Sequence, residues 1–455
     1  MRTVAAISTP YGKGGVALIR ITGDDAVAVA QKVALRTKGI PLAETPSGQA
    51  VRATFVDGDH PFDDGLVTLF RAPHSFTGED TAELCCHGGI LLTQKLLSAV
   101  FAAGAFPAGA GEFTRRAFQN GKLSLSQAEA VGGLIDAKSD RYLTVSLLQC
   151  RGALSEKLQS LCDRMRFLIA SVYAYIDYPD EDMTDVPVDE MRTRLQAICA
   201  EIQKLCDSHS YGKAISEGIK AAIVGKPNTG KSALLNALAG EERAIVTDIA
   251  GTTRDVVKEQ IRLGDLLLNL SDTAGIRESD DRVEQIGIER SLSALKDAEL
   301  VLAVFDGSRP FEEQDADVLR YIRESGKEAQ TVYILNKADL PEDVSVRNAL
   351  PAEPVCISAK GKTGLDVLEQ AVRTRFGEIE TDYSLGEIVV GARQFAALTK
   401  AKTHIENALR TLDGFSQDMA GLDMEHALQA LEEVDGKTAS DEIVDEIFSH
   451  FCVGK

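Results

Sequence analysis

Gly225-Lys226-Pro227-Asn228-Thr229-Gly230-Lys231-Ser232 decides the reading of this chain. The spacing is GxxxxGK[ST], a loop whose glycines let backbone N–H groups turn inward onto phosphate oxygens. An apolar run, Ala221 to Val224, precedes it. A helix-forming run, Ala233-Leu234-Leu235-Asn236-Ala237-Leu238, follows it. A strand, a turn and a helix N-terminus in that order put the helix dipole on the bound anion. In such a loop Lys231 reaches the β- and γ-phosphates, and Ser232 holds Mg²⁺.

Working outward, Asp272-Thr273-Ala274-Gly275 closes the apolar stretch 266–271. A carboxylate at a strand end suits Mg²⁺ through water, and Gly275 brings a backbone N–H towards the γ-phosphate. Asn336-Lys337-Ala338-Asp339 ends the next-but-one apolar run, 331–335. Asp339 can accept from guanine N1–H and the exocyclic amine, a donor pair that adenine does not present. A buried carboxylate left without donors is costly, so this residue discriminates between bases. Asn336 and Lys337 brace the base, and Ser358-Ala359-Lys360 after the last strand completes the site through the Ala359 amide. Four motifs in this order, each at a strand end, define a GTPase. Its catalytic machinery starts with Lys231.

Two features depart from the commonest small GTPases. Ile276 stands after DTAG, where a Gln would orient water, and it cannot do so. Gly251-Thr252-Thr253-Arg254-Asp255 offers Thr253 as a Mg²⁺ ligand. Arg254 stays open between a charge stabiliser and a surface residue ordering the loop. Glu284, within Asp280-Asp281-Arg282-Val283-Glu284, reads on composition as a solvated helix start.

Composition bounds the remainder. The 455 residues suggest about three domains. Lys and Arg number 49 against 69 Asp and Glu, a net charge of −20, which excludes a chain wrapped wholesale in nucleic acid. Local basic patches at Arg115-Arg116 or Arg393 remain candidates for RNA contact. Eight Cys (85, 86, 150, 162, 199, 206, 356 and 452) form no CxxC pair, so reduced thiols are expected. Cys85 and Cys86 should point to opposite faces of a strand. Cys452 is open between a packed terminal thiol and a redox or folate-adjacent role. The uncharged stretch from Lys95 to Glu112 contains Pro107 and is too short to span a bilayer. The opening residues have no signal-peptide h-region. A cytoplasmic bacterial protein with no membrane contact is expected.

Along the chain, Val16–Ile21 and Leu66–Phe70 read as strands and about 90–104 as a helix. Leu158, Leu161, Met165, Leu168 and Val172 recur every three or four residues, the apolar face of a helix. An acidic break follows, from Asp177 through Asp180, Glu181, Asp182 and Asp185 to Asp189 and Glu190. It reads as an interhelix loop. Short apolar strands at 221–224, 266–270, 300–305, 331–335 and 355–357 give an α/β pattern. Helix then resumes, with Ile443, Ile447 and Phe451 sharing a face beside Val444 and Phe448. The expected architecture is multidomain, α/β and α. It comprises an N-terminal α+β domain (1–118), a helical domain in two parts (119–215 and 377–455), and a Ras-like P-loop α/β domain (216–376) inserted between them.

The outer blocks carry a resemblance. Ser75-Phe76-Thr77-Gly78-Glu79-Asp80, His87-Gly88-Gly89 and Gly111-Glu112-Phe113-Thr114-Arg115-Arg116-Ala117-Phe118 are similar to the MnmE (TrmE) family of bacterial tRNA modification GTPases. So are Asn120-Gly121-Lys122, Gln127-Ala128-Glu129-Ala130 and the tail Phe451-Cys452-Val453-Gly454-Lys455. The resemblance spans essentially the whole chain. It implies an N-terminal domain that binds folate and dimerises, a helical domain and an inserted GTPase domain. It also implies work with the flavoprotein MnmG (GidA), which carries FAD and NADH. Together they add a carboxymethylaminomethyl or aminomethyl group to C5 of the wobble uridine at position 34 of certain tRNAs.

The resemblance implies further residue roles and repeats some already read from the motifs. GTP contacts match Asn228, Thr229, Gly230, Lys231, Ser232, Ala233, Thr247, Asp248, Ile249, Ala250, Gly251, Thr252 and Thr253. They continue through Asp272, Thr273, Ala274, Gly275, Asn336, Lys337, Asp339, Ser358, Ala359 and Lys360. Hydrolysis is K⁺-stimulated, with K⁺ ligands matching Asn228, Thr247, Ile249 and Thr252. Asn228 and Glu284 join Lys231 as catalytic, Glu284 by positioning water indirectly. Mg²⁺ ligands match Ser232 and Thr253. A reduced folate such as 5-formyltetrahydrofolate, the one-carbon source, matches Arg20, Glu83, Lys122 and Lys455. The chain departs from the family pattern at Gly109-Ala110, where Arg-Pro is common. It departs again at Gly391 and Gln394, where Asn and His flank the retained Arg393. Two other readings stay open: a GTPase that assembles on RNA without modifying it, and a folate-dependent transferase whose GTPase is structural.

Overall fold

The computed structural model describes residues 2–36, 40–177, 187–241, 259–264, 266–270, 295–376, 385–414 and 417–454. By contacts the chain forms two compact units. One is built from 1–132, 149–170 and 424–455, the other from 133–148 and 171–423.

The first unit is organised by a seven-stranded sheet in the order β3-β4-β5-β6-β2-β1-β7. The strands are β1 (Val4–Ile7), β2 (Val16–Thr22), β3 (Ala34–Arg36), β4 (Ala50–Asp57), β5 (His60–Phe70), β6 (Thr81–His87) and β7 (Phe106–Pro107). All neighbours pair antiparallel except β1 and β7. Two helices, Ala26–Val33 and Ile90–Ala102, supply the apolar layer. Val29, Ala30, Val33, Leu96 and Val100 pack with Phe55, Leu69 and Leu84 of the sheet. The expected strand at 66–70 is the second half of an eleven-residue strand. Its first half, rich in Asp and Gly, carries no apolar alternation, which is why periodicity misses it. Cys86 is buried and Cys85 half-buried, as alternation along β6 requires.

The C-terminus belongs to this unit. Val444 and Phe448 of the helix Asp441–Ser449 are buried beside Leu125 and Ala128. Ile443 and Ile447, expected to lead that face, lie at its margin. Past the helix, Val453 bridges Ala110, and Ser8 Oγ donates to the Gly454 carbonyl at 2.9 Å. A Cβ at Gly454 would stand 2.1 Å from the Ile7 carbonyl oxygen, and φ there is +97°, so the tail needs glycine at that point.

The second unit holds a six-stranded sheet in the order β13-β12-β11-β8-β10-β9. These strands are β8 (Ile219–Val224), β9 (Glu259–Leu263), β10 (Leu266–Leu270), β11 (Leu300–Asp306), β12 (Thr331–Asn336) and β13 (Val355–Cys356). All pairs are parallel except β9 with β10. β11 is buried along its whole length and β12 likewise, hence their unbroken apolar sequence. Helices cover both faces, and ligands in such sheets bind beyond the carboxyl ends of the strands. The helices Val188–Asp207 and Ala392–Gly414 pack together in the same unit.

The apolar face at Leu158, Leu161, Met165, Leu168 and Val172 lies on one helix, Ala153–Asp177, and all five residues are buried. Of the acidic break, 178–186 lie outside the described residues, whereas Asp189 and Glu190 sit in the first turn of Val188–Asp207. Acidic side chains there complement the helix dipole. Among the described residues no helix is long and apolar enough to cross a membrane.

Candidate functional site

β8 delivers the chain to Gly225, whose φ is +153° and whose Cβ position lies 2.3 Å from the Val304 carbonyl oxygen of β11. The loop crosses the sheet end at van der Waals contact, and only glycine fits. Asn228 follows with φ +63°, a conformation Asn tolerates better than most residues, and its side chain is exposed. Gly230, φ +95°, brings the backbone against Asn336, and a Cβ there would lie 2.2 Å from Asn336 Nδ2. Lys231 then opens the helix Lys231–Glu241, with Ser232 and Ala233 in its first turn.

Lys231 Nζ donates to the carbonyls of Gly225 and Lys226, each at 2.7 Å. Among the described residues its hydrogen-bond partners are these two carbonyls, and burial pulls its pKa down to about 8. Thr229 is fully buried and its hydroxyl donates to the Lys226 carbonyl at 3.1 Å. Thus two side chains of the loop, Thr229 and Lys231, donate to one carbonyl, that of Lys226.

The base end is equally built. Asn336 Nδ2 donates to the Thr229 carbonyl at 2.9 Å. Its Oδ1 accepts from the Ala359 amide at 3.0 Å and from the Lys337 amide at 2.8 Å. One buried side chain therefore ties the phosphate loop to both base loops. Lys337, at φ +67°, extends Nζ to Asp306 Oδ2 at 2.5 Å. Burial would raise the Asp306 pKa, but the bonds from Lys337 and Ser308 outweigh it and leave it lowered. Asp339 is exposed, and Oδ1 accepts from Ser358 Oγ at 2.6 Å. That bond holds its carboxyl below the usual range. Ser358 Oγ accepts in turn from the Gly361 amide, and Lys360 lies at the surface. The expected Asn336, Lys337, Asp339, Ser358, Ala359 and phosphate-loop residues thus lie at one edge of one sheet.

The remaining expected positions fall elsewhere. Thr247, Asp248, Ile249, Ala250, Gly251, Thr252, Thr253, Arg254, Asp272, Thr273, Ala274, Gly275, Ile276, Glu284 and Lys455 lie outside the described residues.

In the first unit, Arg20 on β2 stands directly opposite Glu83 on β6. Its Nε and Nη2 both donate to Glu83 Oε1, at 3.0 and 2.8 Å, so Oε2 takes part in neither bond. The Arg20 guanidinium lies 5.6 Å from the Phe113 ring centroid. Lys122 is exposed and donates to the Pro73 carbonyl at 3.0 Å. Gly454, the residue before Lys455, is held at Ser8.

Beside this pair lies a network with no counterpart in the sequence reading. Arg116, 7% exposed, bonds Glu79 at 2.9 Å and Glu112 at 2.8 Å, and Thr22 Oγ1 donates to the same Glu79 oxygen at 3.1 Å. This corrects the expected basic patch at Arg115-Arg116. Arg116 is buried in ion pairs, and Arg115 is paired with Asp445 at 2.5 Å. Burial raises the Cys150 and Cys162 thiols to about 11, which keeps them protonated. Cys452 is exposed. All eight cysteines are free.

Two family models match the chain. Residues 3–122 match the model described as "GTP-binding protein TrmE N-terminus", and 125–452 match "MnmE helical domain". A tRNA modification GTPase MnmE from Geobacillus kaustophilus is 40% identical over 465 aligned positions, covering 100% of this chain and 99% of the relative. One from Thermotoga petrophila is 40% identical over 462, covering 100% of both. Among solved structures, Era in complex with MgGDPNP and a 16S ribosomal RNA segment is 28% identical. The match covers 40% of this chain and 65% of that one, with a TM-score of 0.28.

Proposed function

This chain belongs to the MnmE family of tRNA modification GTPases, and from that premise we propose that it couples K⁺-stimulated GTP hydrolysis to wobble-uridine modification at C5 of position 34. In this reading it forms a homodimer through residues 1–118, uses a reduced folate, and acts in the cytoplasm with the FAD- and NADH-using flavoprotein MnmG on tRNA. The helical parts, 119–215 and 377–455, carry motion from the GTPase domain, 216–376.

The observation that carries the GTPase half is the single Asn336 side chain joining phosphate loop and base loops. A nucleotide bound along that edge meets Lys231 at its phosphates and Asp339 at its base. Ser232 and Thr253 would hold Mg²⁺, both hydroxyl oxygens of the kind a hard cation takes. Asn228, held in a left-handed turn with its amide exposed, offers K⁺ an oxygen, with Thr247, Ile249 and Thr252 completing the set. Cations at these places supply charge neutralisation of the kind an arginine finger provides. Glu284 positions water, since Ile276 cannot.

Steady-state hydrolysis in KCl against NaCl, at several protein concentrations, tests this. We expect at least about tenfold faster turnover in KCl, increasing with protein concentration. Equal rates in the two salts would remove K⁺ and the Asn228 site from the mechanism.

The folate half rests on Glu83. Because Arg20 occupies only Oε1, Oε2 is available to accept from a pterin N–H or amino group. Lys122 and Lys455 suit the glutamate tail. Equilibrium binding of 5-formyltetrahydrofolate should weaken about a hundredfold in Glu83→Gln, which keeps the shape and loses the charge-assisted bond. Unchanged binding in that variant would place the folate elsewhere.

The −20 net charge supports a division of labour in which MnmG holds most of the tRNA. Arg115 and Arg116 are already engaged within the first unit, which supports the same division.

A further inference from the structure

Lys226 is the second residue of the phosphate loop, a position the GxxxxGK[ST] pattern leaves open. It is 8% exposed. Its Nζ donates to Asp315 Oδ2 at 2.6 Å and to Glu312 Oε2 at 2.9 Å. Both acids lie at the start of the helix Glu313–Glu324. Asp315 is 2% exposed, and its Oδ2 also accepts from the Glu312 amide at 3.0 Å, closing a capping box. The same lysine's carbonyl accepts from Lys231 Nζ and from the Thr229 hydroxyl. One residue therefore joins a helix cap through its side chain to the phosphate-binding lysine through its backbone.

We infer that the Lys226–Asp315 pair is a positioning strut for the phosphate loop, fixing the peptide that holds Lys231 ready for a nucleoside di- or triphosphate. Both side chains are turned to each other. The strut sets how well the loop is organised before the nucleotide arrives, and so acts on affinity rather than on the chemical step. Two features support this. The pair is buried, so solvent screens it little. The partners are 89 residues apart in sequence, so the contact constrains the loop from outside its own local structure.

The two acids also differ in a way that makes the idea specific. Glu312 is 56% exposed at its side chain against 2% for Asp315, so Asp315 should dominate.

The test uses the full-length protein and fluorescent GDP and GTP analogues, reading affinity and dissociation rate by stopped flow, with folding followed by circular dichroism. Asp315→Asn keeps the helix cap and removes the charge. It should weaken both nucleotides about tenfold, mainly through faster release, with kcat changed less than about twofold. Lys226→Met should match it, and Lys226→Arg should restore most of the affinity by keeping the charge. Glu312→Gln should cost less than about twofold. A double variant, Lys226→Met with Asp315→Asn, should be no worse than either single change. The strut is overturned if Asp315→Asn or Lys226→Met lowers the melting temperature while nucleotide affinity and release stay at wild-type values. It is equally overturned if kcat falls tenfold with affinity intact, or if Lys226→Arg fails to rescue. If Lys226→Met does not fold, Asp315→Asn and Lys226→Arg decide the matter.

Discussion

Asp339→Asn should turn the nucleotide preference from guanine towards xanthine. The expected loss of GTP affinity is about a thousandfold, since a site built to meet specific donors rejects an analogue by 10⁴ or more and one bond survives the change. The reasoning is a donor count. A carboxylate accepts twice and meets guanine N1–H and the exocyclic amine. An Asn amide accepts once and donates once, so its NH₂ faces the guanine amine as donor against donor. Xanthine carries a carbonyl at that position and restores both bonds. Ser358 bonds Asp339 Oδ1 at 2.6 Å, which orients the carboxylate and keeps it ionised. Competition binding with GTP, XTP and ATP checks the result. An Asp339→Asn variant that kept GTP affinity would mean that the carboxylate does not read the base, and the assignment of this loop would fall.

That prediction was open to sequence reading because its chemistry is linear. Asn336, Lys337 and Asp339 are neighbours, and so are Gly225 through Ser232. Each run follows an apolar stretch, so a reader needs only the strand and the turn. The geometry of Asn336 is already less legible. Its motif suggests a brace, but only the fold shows that it spans from the Thr229 carbonyl to the Ala359 amide. The strut at Lys226 lies one step further. Lysine at a free motif position carries no local signal, and Asp315 lies amid Glu312, Glu313 and Asp317, together an ordinary acidic helix start.

In the first unit the difficulty is register. Arg20 and Glu83 are 63 residues apart, and their pairing follows from β2 and β6 being antiparallel neighbours with that alignment. A one-residue slip would put them on opposite faces. No pattern along the chain sets this register. Likewise Arg116 reads as half of a surface Arg-Arg pair. Helical spacing puts it one turn from Glu112, a solvated pair in most contexts. It is buried because Thr22 arrives from β2 and Glu79 from the loop before β6. Charge runs thus misled the reading where tertiary structure supplied distant partners. Motifs succeeded where the partner is a ligand and the protein's share is local.

Lys231→Ala should lower kcat/KM for GTP by at least about a thousandfold, because it removes both a binding charge and a preorganised stabiliser of the transferring phosphoryl group. The same variant isolates a pH effect. Burial depresses the Lys231 pKa from 10.5 to about 8 in the nucleotide-free protein. The unfolded chain then holds a proton that the folded chain has lost between those values. The nucleotide-free fold therefore gains stability as pH rises through that window, and below pH 8 it bears the full cost of a buried cation. Nucleotide phosphates reverse the preference and call the proton back. GDP binding should be accompanied by proton uptake above pH 8, and its Kd should rise about tenfold from pH 7 to pH 9. Guanine N1–H also begins to ionise towards pH 9, so Lys231→Ala serves as the baseline, and the tenfold is the excess over that variant. Calorimetry in two buffers of different ionisation enthalpy counts the protons directly. A wild-type curve parallel to that of Lys231→Ala would mean that the lysine stays charged in the empty loop. The phosphates would then find the ammonium already formed.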